Sequence, residues 1–195
     1  MPHKFISALT LAGAIAALGV GIATPLAAQA HMTPAPCDFV TSGGFVFKDD
    51  GYRANFGAHG GCKNGDWWGH VNFVDHENQF HLNSTRITGY LSDPAVPNSR
   101  DICGFARIND QSQEVMFRVR LVDYGEPGRN DTFGITVDNW HSRGDRFYRV
   151  SSRKLANGEG GGGNVQLHRA NNSNTAGPGF FQLQEWQMCG DIPAP

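Results

Sequence analysis

The chain has 195 residues, a formal net charge of −2, 17% charged and 39% hydrophobic residues, which suits one domain and crowds two. A charge so near zero removes the electrostatic case for a nucleic-acid partner or an anionic membrane surface. The 25 glycines and 13 phenylalanines favour turns and strands over long helices.

The first element is a leader. Lys4 supplies a short positive region, Ile6 to Leu26 is an uncharged apolar run, and Ala28-Gln29-Ala30 is a small-x-small cleavage pattern. These features predict a secretory signal peptide over residues 1–30, cut after Ala30. Gly13, Gly19, Gly21 and Pro25 weaken the alternative, a retained spanning helix, so no membrane span is expected after cleavage. What remains is one secreted domain, residues 31–195, placed outside the cell, at its surface or in a periplasm. Losing Lys4 takes its formal net charge to −3.

After a Pro-containing lead-in over His31–Pro36, short apolar runs alternate with turn signals. They are Phe45–Phe47, Arg53–Gly57, Trp67–His76, Phe80–Leu91, Ile102–Ile108, Glu114–Asp123, Thr132–Asn139, Phe147–Ser151, Asn164–His168 and Phe180–Met188. The clearest is Glu114–Asp123. There Val115, Phe117, Val119 and Leu121 alternate with Met116, Arg118 and Arg120, the period of a half-buried strand. Thr132–Asn139 repeats the pattern. No segment after Ala30 carries a sustained helical stripe. About ten short strands predict an all-β fold, an antiparallel β-sandwich of jelly-roll-like or barrel-like form.

The four cysteines, Cys37, Cys62, Cys103 and Cys189, all follow the leader, and an even count in an exported chain reads as two disulfides. Three pairings are open. The expected one is Cys37–Cys189 with Cys62–Cys103, because the first pair would staple chain ends that usually lie close together. With no CxxC or CxxCH, a metal or haem site on these cysteines is the weaker reading.

Several stretches, taken in order, resemble a family. They are Gly44–Phe47, Ala54–Gly57, Gly69–His76, Ser84–Ile87, Gly104–Asn109, Phe117–Asp123, Asp131–Ile135 and Gly161–His168. Together they are similar to the post-COAP domain, found in exported bacterial proteins beside choice-of-anchor modules. The resemblance spans roughly Cys37 to Arg169. It implies a secreted β-rich module, and no catalytic residue is carried over from it. Four cysteines, and a chain that is little more than this one domain, are departures from that pattern.

Few motifs carry chemistry. Gly158–Gly163 satisfies GxGxxG only trivially, as a glycine run leading into an apparent strand, and reads as a loop. No GxSxG, HExxH or EF-hand loop is present. His59, His70, His76 and His81 fall within 23 residues, and a regular strand puts His70 and His76 on one face. With a third imidazole they would suit Zn²⁺ or Cu²⁺, but without tight ligand spacing a polar histidine face is the favoured reading. The loop Asp123–Asp131 is the better ion candidate, with Asp123, Glu126, Asn130 and Asp131 offering oxygens to a calcium ion. Its alternative is a polar turn that satisfies its own backbone. Trp67 and Trp68 suggest a sugar-stacking platform, and in a strand only one of the two would be free of the core.

The chain therefore reads as an exported module that binds an extracellular glycan or surface protein, or serves as a structural component, with no catalytic constellation evident. The rival is a secreted hydrolase acting on glycans, which would need a cleft holding two carboxylates about 5–10 Å apart.

Overall fold

A computed structural model describes residues 31–138, 146–156 and 160–195. The leader over residues 1–30 lies outside the described residues, as do 139–145 and 157–159, which include part of the glycine run.

The architecture is all-β and antiparallel. The strands are β1 (Phe39–Phe47), β2 (Arg53–Lys63), β3 (Asp66–Asp75), β4 (Phe80–Asp93), β5 (Val96–Ile108), β6 (Glu114–Val122), β7 (Thr132–Asp138), β8 (Arg146–Lys154) and β9 (Gly161–His168). They form one sheet in the order β8-β7-β6-β5-β4-β3-β2-β1-β9. The first eight strands are thus a meander, and β9 returns to pair with β1. The two ends of this order meet: a Cβ added to Gly160 would lie 2.6 Å from the carbonyl oxygen of Lys154. The sheet is therefore a nearly closed barrel, the barrel-like form of the expected fold, and closure leaves little exposed edge.

Period-two alternation decides what fills it. Along β2, Ala54, Phe56, Ala58 and Cys62 are buried, while Arg53, Asn55, His59 and Lys63 point outward. Phe56 on β2 stacks on Phe133 of β7 at 3.9 Å between ring centroids, and Phe73 of β3 lies 6.0 Å from the same ring. These strands are not neighbours in the sheet, so the rings meet across the interior. Phe73, Phe117 and Phe133 are fully buried, and each such side chain favours folding by about 2–3 kcal/mol.

Three expectations are corrected here. The segment Phe180–Met188 is not a tenth strand. It forms a 3₁₀ turn (Phe180–Gln182) and a short helix α1 (Glu185–Cys189), started by a capping box between Gln184 and Gln187. Five helical residues are too few to show a periodic stripe. The cysteines pair as Cys37–Cys62 and Cys103–Cys189, not as Cys37–Cys189 and Cys62–Cys103. Register explains the first bond: Phe39 faces Gly61 in the β1/β2 hairpin, which brings Cys37 beside Cys62 with Cα atoms 5.9 Å apart. The second bond ties α1 onto the outer face of β5.

The third correction is the glycine run: Gly160 is a turn residue, but Gly161–Gly163 are strand and not loop. Gly161, Gly162 and Gly163 belong to β9 and face Val46, Phe45 and Gly44 of β1. A Cβ on Gly44 would sit 2.1 Å from the Gly162 carbonyl oxygen, so the two backbones approach more closely than any side chain allows.

The chain after β9 covers two regions of the barrel. Asn64 and Gly65 donate backbone hydrogen bonds to Ser173 and Thr175, and Asn174 Nδ2 donates to the Cys62 carbonyl, so residues 173–175 pack against the β2/β3 turn. Further on, Met188 packs over Gly89 of β4, and the Pro195 carbonyl accepts a hydrogen bond from Ser152 of β8. The outer face of β4 to β8 is thus crossed by the C-terminal segment. Among the described residues, the outer face of β9, β1, β2 and β3 is left to the sheet's own side chains.

Candidate functional site

That uncovered face carries an unusual set of residues for a polar sheet surface. From β9 comes His168; from β1, Phe39, Thr41, Phe45 and Phe47; from β2, Asn55 and His59; from β3, Trp68, His70 and Asn72. Phe39 stacks on His168 with centroids 4.3 Å apart and rings nearly parallel. Trp68 stands between Phe39, at 6.0 Å, and His59, at 5.4 Å, with Lys63 Nζ 5.7 Å from its centroid. The Trp68 ring is half-buried, and its Nε1 is buried without a hydrogen-bond partner among the described residues, so packing holds it.

The two tryptophans take opposite faces, as adjacent strand residues must. Trp67 points to the barrel's end, stacks on Phe180 at 3.9 Å and packs against the core. Trp68 is the one left on the outer face.

The imidazoles of this face are mostly engaged. Thr41 Oγ1 lies 2.8 Å from His168 Nε2, Asn72 Nδ2 lies 2.8 Å from His81 Nε2, and Asn55 Nδ2 lies 3.2 Å from His76 Nε2. His76 follows the last residue of β3, Asp75, and its contact with Asn55 keeps it on the outer face with His70, as the sequence spacing expects, but six residues along the chain from that ring. His70 instead faces His59 directly across β2 and β3, with centroids 6.2 Å apart. Burial, followed by the neighbouring His70 charge, holds His59 below the ordinary histidine value. Its ring is therefore neutral under ordinary conditions. Among the described residues, no group of three or more His, Cys, Asp or Glu side chains converges on a common point.

The Asp123–Asp131 loop connects β6 to β7, and its carboxylates accept hydrogen bonds from backbone amides. Asp131 is fully buried; its two oxygens accept from Tyr124 N–H and Val165 N–H, both at 2.8 Å. Asp123 accepts from Gly125 N–H at 2.7 Å and Leu167 N–H at 2.8 Å, while Glu126 accepts from Asn164 Nδ2. Asn130 is exposed. The loop thus pins β9 to the β6/β7 connection, and these oxygens serve the fold. Burial, with Asp123 and Glu126 nearby, raises the Asp131 carboxyl above the ordinary aspartate value despite those amide bonds.

Two charged clusters went unread in the sequence. At one end of the barrel Asp75, fully buried, binds Lys48 Nζ and Tyr148 Oη, both at 2.8 Å, and Asn78 Nδ2 at 2.7 Å. Burial alone would raise its carboxyl, but these hydrogen bonds outweigh it and bring Asp75 down to about 2. Under the C-terminal segment, buried Arg118 binds Asp101, Glu185 Oε1 at 2.5 Å and the Ile192 carbonyl at 2.9 Å. Arg120 adds Asp101 and Asp93. His31 reaches Asp93 at 3.0 Å and Glu185 at 2.8 Å. Alternating Arg118 and Arg120 carried the sequence signal: in a strand whose other face is core, they point to a covered, charged surface.

Arg118 and Glu185 also line a cleft of about 410 Å³ with Trp186, Gly190, Asp191, Ile192 and Pro193. Glu185 is held below the ordinary glutamate value: burial opposes this, and the bonds from His31 and Arg118 prevail. It is an ionised salt-bridge partner there, the opposite of what a general acid needs.

The site and fold define a disulfide-linked, all-β chain whose single sheet nearly closes into a barrel, and whose two disulfides fit a non-cytoplasmic compartment. No described helix is long and apolar enough to cross a membrane. No family model, no curated protein and no solved structure matches the chain.

Proposed function

We propose that this chain is an exported binding module of the post-COAP type, and that it binds an extracellular glycan on the outer face of β9, β1, β2 and β3. The observation that carries this reading is the position of Trp68. It is a half-buried indole set between Phe39, His59 and Lys63, on the one sheet face the C-terminal segment does not cross. A flat aromatic ring flanked by an imidazole and an ammonium group offers a sugar both a stacking surface and hydrogen bonds. The hydrolase alternative is less well supported, because of the two carboxylates that line the cleft, Glu185 and Asp191, the first is committed to His31 and Arg118 as an ionised salt-bridge partner.

Affinity electrophoresis through gels containing soluble polysaccharides tests the reading. The parent should be retarded by at least one. Trp68→Ala removes an aromatic contact worth about 1.5 kcal/mol, and should weaken that retardation about tenfold. A parent that no polysaccharide retards, or a Trp68→Ala variant retarded like the parent, would overturn it. Capture of a surface protein through the same face would replace glycan by protein as the partner.

A further inference from the structure

We propose that His59 and His70 form a two-imidazole site for a divalent transition-metal cation, with Cu²⁺ preferred. The proposal does not rest on the glycan reading.

The two residues are directly opposed in the β2/β3 register and share the outer face. Cross-strand partners on one face are the closest side-chain neighbours a sheet offers. A metal–nitrogen bond of about 2.0–2.1 Å, with about 1.1 Å from ring atom to ring centre, places a bound ion roughly 3.2 Å from each centroid. Two rings ligating one ion therefore lie up to about 6.4 Å apart, in the trans limit. The centroids here are 6.2 Å apart. That separation corresponds to a nitrogen–metal–nitrogen angle of about 150°, wide for tetrahedral Zn²⁺ and suited to the tetragonal coordination of Cu²⁺. The order of intrinsic affinities among first-row ions points the same way.

Both rings are ready to ligate. His59 makes no hydrogen bond among the described residues, so neither ring nitrogen is committed to a protein partner. His70 has its Nδ1 at 3.1 Å from Ser84 Oγ, which itself accepts the Val71 N–H at 2.9 Å. This contact orients the ring, and in the tautomer that donates Nδ1–H to Ser84 it leaves Nε2 as the free lone pair, the arrangement that outer hydrogen bonds impose on metal-binding histidines. His76, His81 and His168 differ, since each has Nε2 within hydrogen-bond reach of a side chain. Water would complete the coordination, so the site is an open one.

Copper titration of the disulfide-intact protein, followed by calorimetry and by electron paramagnetic resonance, tests the proposal. His31 could supply a second copper site if it becomes the amino-terminal residue, so the titration is run in parallel on His31→Gln. Expected is one equivalent of Cu²⁺ bound in the His31→Gln background, with two equatorial nitrogens in the spectrum and quenching of the nearby Trp68 emission. His59→Gln and His70→Gln, added singly to that background, should each weaken binding at least about tenfold, as expected when one of two ligands is lost. His76→Gln should leave it unchanged. These are surface positions, and circular dichroism checks that each variant is folded. Retention of full affinity and of both nitrogens in His59→Gln or His70→Gln would overturn the proposal, as would Zn²⁺ binding more tightly than Cu²⁺. Glycan retardation is measured without metal, so failure of either reading leaves the other standing.

Discussion

Replacing Asp75 by Asn tests how the barrel's end is held. The carboxylate is fully buried and accepts from Lys48 Nζ, Tyr148 Oη and Asn78 Nδ2, with Asn78 N–H at 3.3 Å as a longer fourth contact. Its folded value of about 2 lies below the ordinary 3.8. A carboxyl so lowered binds protons more weakly in the folded state than in the unfolded one. Its contribution is therefore full above about pH 5 and is lost as pH falls towards 2. The difference amounts to about 2 kcal/mol at neutral pH, of which about half is gone by pH 3. The amide of the Asp75→Asn variant would keep the shape and an acceptor but lose the charge, while Lys48 retains Asp50 at 2.6 Å. Urea unfolding followed by circular dichroism should place Asp75→Asn about 2 kcal/mol below the parent at pH 7, with the gap narrowing to about half at pH 3. A gap that stays constant from pH 7 to pH 3, or no gap at pH 7, would refute the argument that the ionised carboxylate is what the network stabilises.

Other consequences are open to measurement. Peptide mapping of the unreduced protein should yield Cys37 linked to Cys62 and Cys103 linked to Cys189; losing each bond should cost about 3.5 and about 4.5 kcal/mol, from loops of 25 and 86 residues. Gly44→Ala should destabilise by about 3 kcal/mol, because its Cβ would meet the Gly162 carbonyl oxygen at 2.1 Å. Gly57→Ala, where a Cβ meets nothing within 4 Å, should stay within about 0.5 kcal/mol of the parent; equal effects at the two sites would contradict the close β1/β9 approach. Asp131→Ala orphans the Tyr124 and Val165 amides and should cost about 2–4 kcal/mol, alike in millimolar calcium and in chelator. A calcium-dependent melting temperature in the parent, lost in the variant, would instead give the loop an ion.

The strands were legible where alternation was complete. Val115, Phe117, Val119 and Leu121 mark the inner face of β6, and Phe133, Ile135 and Val137 that of β7. Alternation hides where glycine replaces the inward residue. Gly60 of β2 and Gly161 and Gly163 of β9 give no apolar signal, and β9 therefore looked like a loop in its first half. The β5 start was obscured by Pro97 and Asn98, which read as turn residues yet lie within the strand. The helix at Glu185–Cys189 was invisible because what fixes it is tertiary: Met188 filling the space above Gly89, and Cys189 bonded to Cys103.

The candidate site was hidden for a different reason, since its residues are recognisable but their neighbours are set by register. Asn64-Gly65 is a two-residue turn with φ of 53° and 84°, the positive angles that a tight hairpin demands. Such a turn fixes every pair at equal distances on either side of it. Cys62 must face Trp67, His59 must face His70 and Phe56 must face Phe73. Phe56 and Phe73 are core, so the pair three residues nearer the turn lies on the other side of the sheet, where His59 and His70 are found. Inserting one residue into the turn would shift the register and turn one partner of each pair to the opposite face. The histidine pair and the Trp68 platform beside it thus depend on the same two-residue turn, and lengthening it should abolish both together while leaving the Cys103–Cys189 bond intact.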